Sequence, residues 1–149
     1  MKNKRRKGIR NHAPRCPYCG SHSILRSADG IYLDNPNGTM LYVCKNYPRC
    51  DAYVRTMPGS RIPLGTLANR ELRAMRTEIH RYFTRFSREG HMTKDDTYQW
   101  LQATLGSPMA DAHVGNLAEY ECRRVLIEAQ RLMQTIEERN KRKEGGKAA

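Results

Sequence analysis

The sequence predicts an α+β chain in which a small antiparallel sheet, organised on four cysteines, precedes a three-helix unit. Three observations predict it. Cys16 and Cys19 make one short turn, and Cys44 and Cys50 make a second after twenty-four intervening residues. Between and just after these turns lie brief β-prone runs broken by Gly, Asn and Pro. From residue 69 onward the apolar residues instead recur at three- and four-residue intervals, the period of an α-helix.

Cys16-Pro17-Tyr18-Cys19 and Cys44-Lys45-Asn46-Tyr47-Pro48-Arg49-Cys50 read as one zinc site. Zn2+ takes four thiolates in a tetrahedron at about 2.3 Å each, and two Cys turns separated by a hairpin-length insert supply them. Pro17 fixes one φ, Gly20 permits a left-handed residue just after Cys19, and Asn46 and Pro48 bend the second loop. The alternative is buried cysteines or two disulfides; disulfides belong to oxidising compartments, and nothing in the sequence marks export. His12 and His22 lie nearby but are surplus to a complete set of thiolates and are read as surface residues. Because four thiolates close the coordination shell, the metal is expected to be structural, and the chain is expected not to be an enzyme. A module of about 40 residues is too small to hold itself together, and zinc would add on the order of 10 kcal/mol of folding free energy.

The expected ribbon covers 16–56. Ser23-Ile24-Leu25-Arg26-Ser27, Ile31-Tyr32-Leu33, Leu41-Tyr42-Val43 and Ala52-Tyr53-Val54-Arg55 are its β-prone runs, with turn chemistry at Asn35-Pro36-Asn37-Gly38. Five of the chain's eight tyrosines fall here: Tyr18, Tyr32, Tyr42, Tyr47 and Tyr53. Beside Arg26, Lys45, Arg49 and Arg55 they form a candidate platform for stacking exposed bases. For Tyr32 and Tyr42, covering a very small core is the simpler role.

Residues 57–68 carry Pro58 and Pro63 and read as a linker, leading to a helical domain over 69–138. Its first helix is expected to start from Asn69 as N-cap and stop at Gly90. Leu72, Met75, Ile79, Tyr82, Phe83 and Phe86 share one arc, while Arg70, Arg73, Arg81, Arg85 and Arg88 gather opposite and Glu71, Glu78 and Glu89 lie on a flank. The second helix opens at the capping-box-like Thr93-Lys94-Asp95-Asp96 and ends at Gly106 and Pro108, with Trp100 in the core. The third opens near Asn116 and buries Cys122, Val125, Leu126, Ala129, Leu132, Met133 and Ile136. Cys122 is therefore read as a core residue and not a nucleophile. His80, His91 and His113 are scattered singly, outside any catalytic motif. The ten residues from Gly106 to Gly115 are too long a connection for a helix-turn-helix.

Two resemblances follow from these motifs. The stretch Leu41 to Cys50, with its Asn-Tyr-Pro-Arg-Cys loop, resembles the C-terminal zinc-ribbon repeats of bacterial type IA topoisomerases, which implies binding of single-stranded DNA. A longer resemblance runs from Cys16 to about Ile127. There Cys-Pro-Tyr-Cys-Gly, Cys-Lys-Asn-Tyr-Pro-Arg-Cys-Asp-Ala-Tyr-Val, Pro63-Leu64-Gly65-Thr66-Leu67-Ala68, the Leu72-Arg73 helix and Tyr98-Gln99-Trp100-Leu101 follow the order of a phage and bacterial zinc-finger-containing family of unknown function. That resemblance implies the architecture and the metal, and brings no activity with it.

The formal net charge of +12 is concentrated at the ends. Residues 1–15 form a basic arm with Lys2, Lys4, Arg5, Arg6, Lys7, Arg10 and Arg15 and no acid, and 139–149 form a second basic segment, read as a flexible tail. Residues 16–138 hold fifteen basic and fourteen acidic side chains. Basic arms bind polyanions, and nucleic acid is the commonest in a cytosol. The reading is a nucleic-acid-binding accessory protein, DNA ahead of RNA, of phage or prophage origin, with Lys4, Arg5, Arg6, Lys7, Tyr47, Arg49, Tyr53, Arg73, Arg81 and Arg85 as contact residues. A module that docks on a replication, transcription or defence protein is the alternative. No apolar run approaches the ~20 residues of a membrane span, no small-molecule substrate is evident, and a reducing cytoplasm suits four metal-bound thiolates and the fifth cysteine, Cys122.

Overall fold

Leu41, Tyr42, Val43 and Cys44 are four consecutive buried residues, the pattern of a strand covered on both faces. They form the centre of a three-stranded antiparallel sheet in the order β1 (Ser23–Ser27), β2 (Met40–Cys44), β3 (Tyr53–Arg55). The computed structural model of the chain describes residues 13–106 and 113–147, so Lys4, Arg5, Arg6 and Lys7 lie outside the described residues. The described chain divides between Arg70 and Glu71 into two compact units, the first holding the sheet and the second the helical core.

Alternation along the strands sorts side chains onto two faces. One face gathers Cys16, Tyr42, Cys44, Ala52, Val54 and Leu67, with Leu25 and Cys50 against them. The other gathers Ala28, Leu41 and Val43, with Ile31, Tyr32, Tyr47 and Tyr53 packed around. Ile31-Tyr32-Leu33 does not form the expected strand. Gly30 takes φ +82°, and the Ala28 carbonyl accepts from the N–H groups of both Ile31 (3.0 Å) and Tyr32 (2.8 Å), which curls the run into a turn. Asn35 then sets the return to β2, accepting from Thr39 N–H at 2.8 Å and donating to Asp29 Oδ1 at 3.0 Å.

The stretch 57–68, expected as a linker, is packed onto the sheet. Leu67 and Ala68 are buried, and Tyr53 and Ala68 exchange two backbone hydrogen bonds at 3.1 and 3.0 Å. Leu64 N–H adds a bond to Arg55 O at 3.0 Å, so this stretch covers the outer edge of β3. Two prolines mark a bend here and not a separation, because the apolar pair that follows them has the sheet to pack on. Tyr42 Oη donates to Arg61 O at 2.6 Å and fixes the bend from below.

The second unit contains α1 (Arg70–Arg88) from Glu71 onward, α2 (Lys94–Leu105) and α3 (Glu119–Lys147). Thr93 and Asp96 form the expected capping box, Thr93 N–H donating to Asp96 Oδ2 at 3.0 Å and Asp96 N–H to Thr93 Oγ1 at 3.1 Å. Phe86, Ala129 and Met133 make the core, with Tyr82, Phe83, Met92, Trp100, Leu132 and Ile136 around them. Trp100 meets Phe83 and Phe86 edge-on at 6.2 and 6.3 Å. Cys122 is fully buried, as expected of a core residue.

Three details differ from the sequence reading. Residues Val114–Asn116 form a 3₁₀ turn, so α3 starts at Glu119 and not near Asn116. At its far end α3 continues to Lys147, through most of the segment expected as a tail; Glu, Lys and Arg propagate a helix readily once it is nucleated. Arg76 is buried, with Nη2 and Nε donating to the Leu117 carbonyl at 3.0 and 3.3 Å. It lies four residues after Leu72 and three before Ile79, on the buried arc, and its fork satisfies a carbonyl that the turn before α3 leaves inside.

Candidate metal centre

Each pair of cysteines is presented by a knuckle whose backbone is closed by its own hydrogen bonds. In the first, Gly20 N–H donates to Cys16 O and Cys16 N–H to Ser21 O, both at 2.9 Å, and Gly20 takes φ +71°. In the second, Tyr47 N–H donates to Cys44 O at 2.9 Å and Cys50 N–H to Asn46 O at 3.0 Å. The knuckles are tied together by Lys45 N–H to His22 O at 2.9 Å and by Asn46 Nδ2 to Ser21 Oγ at 2.9 Å. Asn46 Nδ2 also lies 3.5 Å from Cys19 Sγ. Asn46 therefore joins the two halves of the site besides bending its own loop, a role that only the spatial register of the knuckles reveals.

The four Sγ atoms of Cys16, Cys19, Cys44 and Cys50 all lie within 4.8 Å of one another. Cys16 and Cys50 approach to 3.5 Å, as do Cys19 and Cys44. A tetrahedron with metal–sulfur bonds of about 2.3 Å has sulfur–sulfur edges of about 3.8 Å, so the set already has the size of a zinc site. Four sulfur donors in this geometry suit Zn2+, and zinc is the cofactor of this chain. Bound zinc holds the ribbon together and has no further coordination position to offer.

The surroundings favour thiolates where solvent reaches and resist them inside. Cys19 is exposed, and hydrogen bonds from the Ser21 side chain and backbone lower its pKa to about 6. Burial pushes the Cys44 thiol up to about 12 and raises Cys50 as well, against the pull of the Asn46 and Ala52 backbone N–H groups. In each case the N–H donor comes two residues after the cysteine, so that it spreads the negative charge of a metal-bound sulfur. Buried thiols of this kind give up their protons on meeting the metal.

The other residues singled out in the sequence fall into separate places. Tyr47 and Tyr53 sit, partly buried, on the face of the sheet turned away from Cys44, and Arg49 is exposed on the second knuckle. Arg73 is partly exposed and Arg81 exposed, both on α1. Arg85, also on α1, is engaged by two carboxylates, Glu89 Oε1 and Glu137 Oε1, each at 3.0 Å. These pairings raise its pKa and neutralise the charge that the helical wheel presents as free. The wheel shows which residues share a face of one helix but not what a second helix brings to it.

Tyr32 was read as core cover, yet it shares the second sheet face with Tyr53, the ring centroids 6.4 Å apart at 60°. Arg26 and Arg55 are exposed and both stand opposite Leu41, one on each side of it. Their alternation with Leu25 and Val54 was the available signal. No helix among the described residues is long and apolar enough to cross a membrane.

Residues 12–132 match a family described as a zinc-finger-containing domain. No curated protein and no solved structure matches the chain. The match takes in all four cysteines, the sheet, α1, α2 and the first half of α3. The chain belongs to this zinc-finger-containing family.

Proposed function

We propose that this chain is a nucleic-acid-binding accessory protein of phage or host DNA metabolism that holds unpaired DNA on the sheet face opposite the zinc. The observation that carries the reading is the cluster of Tyr32, Tyr47 and Tyr53 around Ala28, Leu41 and Val43. All three rings are only partly buried, on a face that also bears exposed Arg26 and Arg55. Aromatic faces stack on any exposed base, at roughly 1–3 kcal/mol each, and nearby arginines attract the backbone. The chain acts by binding and not by catalysis, since its metal is closed by sulfur. Its setting is the cytoplasm, where the thiols stay reduced.

The test is fluorescence anisotropy with unpaired and duplex oligonucleotides of one sequence at two salt concentrations. Unpaired DNA binds more tightly. Changing Tyr47 and Tyr53 together to Leu keeps apolar volume, removes the π-faces and abolishes that preference, leaving a charge-driven background. Changing Arg73 and Arg81 to Gln weakens both forms alike, whereas Arg85→Gln, whose charge is already met by Glu89 and Glu137, has the smaller effect. Equal binding of the two forms by the parent protein, untouched by the tyrosine changes, overturns the reading in favour of a protein-docking module.

A further inference from the structure

The register of the sheet places Arg26, Leu41 and Arg55 in one row across β1, β2 and β3. Residues directly opposite in antiparallel strands project to the same side, so the two arginines flank Leu41 on the tyrosine face. With neighbouring strands about 4.8 Å apart, their Cα atoms are about 9.6 Å apart. The adjacent row on that face is Ile24, Val43 and Tyr53, about 7 Å away along the strands. One row therefore ends in guanidinium groups at both sides, and the next is apolar and ends in an aromatic ring. Tyr32 and Tyr47 pack on the same cluster.

We propose that Arg26 and Arg55 form a phosphate clamp across the sheet, so that an unpaired strand crosses β1, β2 and β3 with its phosphates along the arginine row and its bases over the tyrosines. This rests on the reading of that face as a nucleic-acid surface. A single nucleotide spans from one row to the other, base to phosphate. A duplex keeps its bases stacked on one another and presents only phosphates, so it engages the arginines without the rings. Arg26 is partly oriented for this task, with Nη2 3.4 Å from the Asp29 carbonyl and its other N–H groups without a partner among the described residues. The Asp29 carboxylate accepts from Asn35 Nδ2 at 3.0 Å. Leu41, fully buried between the two arginines, lies under the cluster of Ile31, Tyr32, Tyr47 and Tyr53, so the unpaired strand passes over those rings and not over bare β2.

The clamp is tested on the full-length, zinc-loaded protein with Arg26→Gln and Arg55→Gln, singly and together, against a short oligothymidylate. Zinc content and circular dichroism first establish that each variant is folded, as expected for exposed positions. Each substitution lowers affinity and makes the slope of log K against log salt shallower by about 0.7, one phosphate contact on a single strand. On a methylphosphonate oligothymidylate, which has no backbone charge, parent and double variant bind alike. A charge-matched double change on α3, Arg124→Gln with Arg131→Gln, leaves the slope within half of that shift. If the double variant keeps the parent's affinity and slope while Tyr47→Leu with Tyr53→Leu removes single-strand preference, the clamp is wrong and the binding face stands. If neither pair of changes matters, the binding face falls together with the clamp.

Discussion

Cys44 ends β2 and is a ligand of the ribbon at the same time, so one atom there connects sheet to metal. Replacing it by Ser keeps the shape and removes a thiolate. The parent protein is expected to carry one zinc per chain by elemental analysis, and Cys44→Ser none at micromolar free zinc. The variant should lose the β signal of the ribbon and keep the helical signal of the second unit, whose core contains none of the four ligands. Half or twice that stoichiometry would instead mean a site shared between chains or additional ligands. The four ligands were legible because their spacing alone specifies the chemistry. The bond from Asn46 to the first knuckle was not, because it depends on how the two knuckles meet, and Arg26 and Arg55, named beside the tyrosines from sequence, could be placed on either side of Leu41 only by the register of the sheet. Arg76 was legible in principle: it occupies the buried arc of α1, but its partner, the Leu117 carbonyl, is 41 residues away.

At the scale of elements, local signals located those whose ends carry side-chain or glycine caps. Thr93 and Asp96 cap α2 reciprocally, and Gly106 closes it with φ +65°. Changing Thr93 to Ala removes one bond of the box and should cost about 1 kcal/mol, seen as a fall of about 4–8 °C in the Tm of the helical unit. The Thr93 backbone N–H, followed by its side chain, holds the Asp96 carboxyl below its ordinary range. That contribution is therefore present above about pH 4 and is lost as pH falls through the lowered value. Accordingly, Asp96→Asn should destabilise at neutral pH and do so progressively less as acid is added below pH ~4, in calorimetry at several pH values. A deficit that stays constant down to pH ~2 would mean that the carboxylate charge is not what caps the helix. The three strands were located by composition alone, while two other segments were misread. Ile31 to Leu33 has strand composition but is too near Gly30 to extend, and the true second strand is set by burial on both faces of β2. The start of α3 moved because the Ala118 N–H finds its acceptor in Glu121, at 3.2 Å, and Asn116 is used in the preceding turn.

For the whole molecule, charge and fold are divided between different residues. The sheet and helical core have nearly balanced charge over 16–138, while residues 1–15 add seven basic side chains and no acid. On the proposed reading, an arm of this composition adds affinity through counterion release, a term that is indifferent to base sequence and steeply dependent on salt. The tyrosines of the sheet face contribute, on the same reading, a different kind of term, one that needs exposed bases, while Arg26 and Arg55 beside them add a salt-dependent part. Deleting residues 2–10 removes six positive charges and none of the sheet. Affinity for unpaired and duplex DNA should fall together, and the salt slope should become shallower by up to about 0.7 per lost contact on single strands. The preference for unpaired DNA should survive, since the arm's term reads no bases and is slightly larger per contact on duplex, about 0.9, than on single strands, about 0.7. Anisotropy titrations of the truncated and full-length proteins across a salt series measure both quantities. A truncated protein that binds as before at physiological salt would assign the arm to solubility or localisation. One that loses its preference for unpaired DNA would place base recognition in the arm and take it away from the tyrosines.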